Sequence, residues 1–204
     1  RGAHKLAGVP ATDIEYESFL SKNMKYLPSL YISILLFAAG IVCGLIVPVP
    51  ITVGTNASLS PISKLAEYIY SLPPVIGAMV IFAKNAFAVI FSFLLSPLLC
   101  VVPVLTLFSN GWLLGYVSMV TAGQQSLSFV LAGLLPHGII ELPAVIIGEG
   151  AAISFGTSII YYMIKQKEPA TPFRKNLKYL LISVMLLLPA AFIERFITPL
   201  LIAS

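Results

Sequence analysis

Long apolar runs separated by short polar interruptions dominate the chain, and the run lengths predict its elements. Residues 27–47 contain no charged side chain and match the ~20 apolar helical residues needed to cross a bilayer. Pro28 falls in the first turn, where a missing backbone donor costs the helix nothing. Residues 48–74 read as a loop. Within it Ser60-Pro61 looks like a cap and first helical residue, and Ile62, Leu65, Ala66 and Ile69 follow at helical spacing. That pattern predicts a short amphipathic helix resting on the membrane. The same loop holds an Asn56-Ala57-Ser58 glycosylation triplet. The apolar stretch that follows is too long for one span. Pro97 and Pro103 divide it into spans at 75–96 and 102–121 joined by a tight turn, and Gln124, Gln125 and Ser126 mark the next turn.

Residues 127–164 pose a length problem. As one straight helix they reach about 57 Å at 1.5 Å per residue, whereas the hydrocarbon core is only ~30 Å thick. Pro136 and Pro143, with Gly138 between them, are the expected helix break. The prediction is a half-helix or re-entrant piece at 127–135, a turn through 136–143 and a full span at 144–164. A charged loop at 165–178 and a last span at 180–201, kinked at Pro189, complete the chain. The expected fold is therefore all-α: a polytopic transmembrane helix bundle with five crossings and a broken or re-entrant helix around residues 127–143. Residues 26–204 form its single transmembrane domain. Residues 1–25 are a polar lead-in, where Thr12 and Glu15 fit a capping box. A helix lying at the membrane surface and a solvated segment both suit that stretch.

Composition agrees with this reading. Apolar residues make up 58% of the chain and charged residues 10%, against roughly 25% charged in soluble domains. Mean hydropathy is +0.98. The net charge of +4 does not point to nucleic acid, because most of the basic residues lie in two segments. Arg1, Lys5, Lys22 and Lys25 lie in the lead-in, and Lys165, Lys167, Arg174, Lys175 and Lys178 in the 165–178 segment. Short basic loops stay in the cytoplasm. The expectation is an N-terminus inside and a C-terminus outside. Cys43 and Cys100 both lie in apolar runs, which excludes a secreted disulfide framework.

Few ionisable groups remain within the apolar runs: Lys84, His137, Glu141, Glu149, Glu194 and Arg195, with Asn85 and Asn110 as amides. A charge at the bilayer centre costs on the order of 2.5–3.5 kcal/mol, so each such residue is a functional-site candidate. The predicted intramembrane polar cluster is His137, Glu141, Asn110, Asn85 and Glu194. His137 and Glu141 are four residues apart and share a helical face, beside the expected break at Pro136, Gly138 and Pro143. Broken helices presenting such groups build midplane sites in transporters. The alternative is that the pair bonds to neighbouring helices and holds the break in place. His137 and Glu141, with Glu149 as a third only if folding brings it close, are weak candidates for a metal, and the pair alone is too few to assign one. Glu194 and Arg195 lie near the end of the last span and have a snorkelling explanation. Small residues form a second pattern. Gly148, Ala152 and Gly156 recur every four residues, as do Gly111 with Gly115 and Gly40 with Gly44. Such spacing lets helix backbones approach closely. There is no Walker A loop, GxSxG elbow or HExxH motif, and the sole Asp is Asp13 in the lead-in.

Three strings carry a resemblance. Lys84-Asn85-Ala86, then Ser109-Asn110-Gly111-Trp112-Leu113-Leu114-Gly115, then Leu135-Pro136-His137-Gly138-Ile139-Ile140-Glu141-Leu142-Pro143-Ala144 resemble the stage II sporulation protein M (SpoIIM) family. Ala190-Ala191-Phe192-Ile193-Glu194 is similar to its last helix. The resemblance implies a five-helix membrane protein. It also implies that Asn85, Asn110, His137, Glu141 and Glu194 are signature positions without an assigned chemistry. In spore formers the family's namesake acts with two partners that remodel peptidoglycan, which implies a membrane scaffold. Glu149 departs from the family's Ala and Gly pattern after the ELPA string.

The leading expectation is a non-enzymatic integral membrane scaffold that binds other membrane proteins, with no cofactor. A small transporter or channel with a His/Glu site is the alternative, and an intramembrane metal-dependent enzyme the second. The lipid bilayer is the surrounding partner. Homo-oligomerisation through a small-residue face is a further option, and no nucleic acid is expected.

Overall fold

The computed structural model describes residues 26–46, 60–165 and 173–202, and all regular structure among them is helical. The helices are α1 (Leu27–Ile46), α2 (Ser60–Ser71), α3 (Pro74–Leu95), α4 (Val101–Gln124), α5 (Leu127–Lys165), α6 (Phe173–Phe196) and α7 (Thr198–Ile202). Five segments are long and apolar enough to cross a membrane: α1, α3, α4, the Gly138–Ile164 part of α5, and Phe173–Leu201. The 22 residues of α3 are about 33 Å long and match the ~30 Å hydrocarbon core. The predicted amphipathic helix is α2. The expected surface helix before residue 26 and the Asn56 triplet lie outside the described residues.

The turn between the second and third spans is short. Pro73 and Pro74 open α3, where proline suits the first turn. Ser96–Cys100 then reverses the chain, with Leu99 and Cys100 both left-handed at φ 56° and 55°. Two non-glycine residues in that region are strained, and the turn is correspondingly tight.

Two expectations are corrected. The chain does not break at Pro136 or Pro143: α5 is one continuous helix of 39 residues with both prolines inside it. The prolines are seven residues apart and fall on one face, so their missing donors affect one side of the helix only. The helix also outruns its neighbour α3. Gly156 packs against the Ser96 carbonyl at the end of α3, so residues 157–165 project roughly 13 Å past it. The second correction concerns the charged segment 165–178. Helix α6 begins at Phe173 and carries Arg174, Lys175 and Lys178 on its first turns, because Lys and Arg are good helix formers. Pro189 sits within α6, as expected for the last span.

Helix α5 is the centre of the bundle. Half of its apolar window is buried, against a third or less for the other spans. On one side it packs with α3 and α6 around Val89, Phe93, Ala144, Ala152, Leu180 and Leu187. On another, Ile153 meets Phe37 of α1 and Leu107 of α4. Ile69 of α2 is pinned against Ile81 and Ala191.

Helices α1 and α4 run parallel and cross closely. Gly40 and Gly44 face the backbone of Phe108, Trp112 and Tyr116, while Gly111 and Gly115 face that of Phe37 and Ile41. A Cβ at any of the four would overlap a carbonyl oxygen of the other helix. Here glycine is a steric requirement, and all four contacts are within one chain.

Candidate functional site

Helix α3 also runs parallel to α5, and that register brings polar side chains together. Asn85 lies halfway along α3. Its Nδ2 donates to Glu141 Oε1 at 2.9 Å. Seven residues further along α3, the Ser92 hydroxyl donates to Glu149 Oε2 at 2.5 Å. The partners on α5 are eight residues apart, so the two pairs form a ladder with rungs roughly 11 Å apart along the helices. Between the rungs, Gly148 admits Val89 of α3 and Ser183 of α6. The Ser183 hydroxyl donates to the Ala144 carbonyl at 2.6 Å, and the Tyr26 hydroxyl donates to the Ile147 carbonyl at 2.8 Å. Tyr26 in turn stacks on Tyr179 of α6 at 3.9 Å. The stretch of α5 from Glu141 to Glu149 is thus hydrogen-bonded to α3, to α6 and to the residue preceding α1.

Not every buried polar atom is matched. Glu149 is 0% exposed, and its Oε1 has no hydrogen-bond partner. The same holds for Ser154 Oγ and for both amide atoms of Asn176, another residue with 0% exposure. An unsatisfied buried group costs about 1–3 kcal/mol, so these positions carry strain that the rest of the core offsets.

A second polar group lies where α2 meets the end of α6. Arg195 Nη2 donates to the carbonyls of Tyr70 at 3.2 Å and Leu72 at 3.1 Å, taking up acceptors at the C-terminal end of α2. Its guanidinium lies over the Tyr70 ring at 5.0 Å. Gly77 leaves room for the Arg195 side chain. Burial, and then the Glu194 charge, push the Tyr70 phenol up, with Arg195 opposing them. Lys84 of α3 lies within electrostatic reach of Glu194.

The predicted cluster therefore divides. Asn85 and Glu141 meet. Glu194 is a separate group near Lys84 and Arg195. Asn110 is exposed on α4, and its Nδ2 donates to the Thr106 carbonyl of its own helix at 2.8 Å. The His137 side chain lies outside the described part. Among the described residues no three His, Cys, Asp or Glu side chains converge as metal ligands would, and Glu141 and Glu149 occupy different rungs. Of the small-residue positions, Gly111 and Gly115 pack on α1, Gly148 on α3 and α6, and Gly156 on Ser96 and Cys100. Ala152 is fully buried in the core between α3, α5 and α6. Sequence reasoning missed Ser92 and Ser183. A hydroxyl in a transmembrane helix usually bonds its own backbone, as Ser33 does to Ser29, so neither serine stood out.

Residues 33–199 match the family described as Stage II sporulation protein M. Two curated relatives come from Methanocaldococcus jannaschii. Uncharacterized protein MJ0793 is 37% identical over 95 residues, which is 45% of this chain and 52% of the relative. Uncharacterized protein MJ0706 is 30% identical over 94 residues, 44% of this chain and 42% of the relative. The matched region thus spans about half or less of each relative. No solved structure matches the chain.

Proposed function

The chain belongs to the stage II sporulation protein M family, and from that premise we propose that it is a non-enzymatic membrane scaffold, a stiff bundle that holds other membrane proteins. The observation behind this reading is the direct Asn85–Glu141 bond. The acid that the sequence marks most strongly as a site links two helices. The Ser183 and Tyr26 bonds to α5 and the glycine-packed α1/α4 crossing support the same reading, since each stiffens the bundle. The basic residues of the lead-in and of 165–178 favour a cytoplasmic N-terminus and an outside C-terminus. Affinity purification after gentle solubilisation from native membranes tests the scaffold. A partner membrane protein in fixed ratio is expected, and recovery of the chain alone would sink the proposal. For the orientation, a Ser204→Cys probe in a variant lacking Cys43 and Cys100 should react with an impermeant thiol reagent from outside intact cells.

One observation favours a second reading, passage of a small solute or ion. It is the unmatched Oε1 of the fully buried Glu149, whose other oxygen forms the second rung of the ladder. Flux through reconstituted vesicles above the level of empty ones, lost in Glu149→Gln, would move the assignment to transport.

A further inference from the structure

A shallow, open groove formed by α6 alone, on the outer face of that helix, has chemistry of its own. It is lined by Arg174 and Lys178 at one end and by Leu181, Ile182, Met185 and Leu186 along its length, and no lining residue is acidic. Arg174 and Lys178 are one turn apart and exposed. Below them Leu181 is 56% and Met185 70% exposed, so none of the described residues covers this strip. The dimensions resemble those of a membrane lipid. From Lys178 to Leu186 the helix rises about 12 Å, and from Arg174 about 18 Å, which brackets the ~15 Å depth of one hydrocarbon leaflet. The two cations therefore sit at headgroup level when the apolar strip lies in the chain region.

We propose that this groove is a binding site for an anionic membrane lipid, with its phosphate between Arg174 and Lys178 and one hydrocarbon chain along Leu181, Ile182, Met185 and Leu186. The argument is charge complementarity. The apolar strip accepts any lipid tail. The paired cations, with no acid on the groove to balance them, select a headgroup of net negative charge over a zwitterionic one. A basic residue near an anionic lipid surface contributes about five-fold in affinity, so two contribute about 30-fold.

The test is native mass spectrometry of the full chain in neutral detergent, titrated with phosphatidylglycerol or with phosphatidylcholine bearing the same tails. Bound phosphatidylglycerol should appear at about 30-fold lower concentration than bound phosphatidylcholine. The double variant Arg174→Gln/Lys178→Gln should erase the difference, and Lys64→Gln, on α2, should leave it intact. Equal retention of both lipids by the wild type, or a preference that survives the double variant, would overturn the proposal. A photo-reactive amino acid in place of Leu181 gives an independent readout in vesicles containing phosphatidylglycerol. An adduct of lipid mass supports the site. A cross-link to residues 1–25 or to a second copy of the chain would show that protein covers the groove and end the proposal.

Discussion

The α1/α4 crossing and the α3/α5 crossing both join parallel helices, yet only the second adds side-chain hydrogen bonds to close packing. At α1/α4 the contact is made by what is missing: four glycines let the two backbones meet, with Phe37 and Leu107 packed beside them. At α3/α5 the contact is made by what is present: an amide and a hydroxyl on one helix donate to two carboxyl groups on the other. Lipid tails are as apolar as leucine, so burying apolar surface drives little helix association within a bilayer. What remains is close packing or hydrogen bonding: α1/α4 relies on the first, and α3/α5 adds the second to close packing at Gly148 and Gly156. The first mode tolerates no added atom. The second is lost when either partner is removed.

The steepest effect is expected at the glycine crossing. Gly115→Leu drives a side chain into the Ile41 carbonyl. Backbone cannot give way as a flexible side chain does, so the loss should reach about 3 kcal/mol or more. Denaturation in mixed micelles should show the variant largely unfolded where the wild type is folded. Unchanged stability would mean that α1 and α4 do not meet as described.

At the ladder the expected losses are smaller and depend on the surviving partner. Ser92→Ala leaves Glu149, fully enclosed, with neither oxygen matched, at a cost of about 2 kcal/mol. Ser92→Ala/Glu149→Leu removes the stranded acid together with its donor and should recover most of that loss. If the double variant is worse than the single one, Glu149 has a role beyond this bond. The Asn85–Glu141 rung is only partly buried. A double-mutant cycle through Asn85→Ala and Glu141→Ala should give a coupling of about 1 kcal/mol, the range found between transmembrane helices. Zero coupling would remove the rung from the account of this interface.

The same contrast explains what the sequence disclosed. The spans were legible because crossing a bilayer demands a length and an apolar content that few other structures share. The glycine pairs were legible because their four-residue spacing has a steric meaning, although their partner helix was not. Glu141 stood out through the cost of placing an acid in lipid, but its partner depends on the register between α3 and α5, which no local pattern encodes. Asn85 and Asn110 had equal standing in the sequence. One reaches across to Glu141 and the other bonds Thr106 on its own helix. The expected break in α5 failed for an identifiable reason. The length argument treated residues 127–164 as one run within the membrane, whereas the segment long and apolar enough to cross is Gly138–Ile164 and the helix simply continues back through both prolines to Leu127.

The smallest effect separates glycine as a packing device from glycine as a bare residue. Gly123 shares α4 with Gly111 and Gly115, but a Cβ built there meets nothing within 4 Å. Gly123→Ala therefore adds no clash and removes some of the backbone freedom that glycine loses on folding, for a gain of about 0.5 kcal/mol. Ala at Gly111 would overlap the Phe37 carbonyl. The two Gly→Ala variants on one helix should consequently shift stability in opposite directions under the same denaturation measurement. A loss at Gly123 comparable to that at Gly111 would mean that α4 is sensitive to any replacement of glycine. The backbone approach to α1 would then no longer explain why Gly111 is needed.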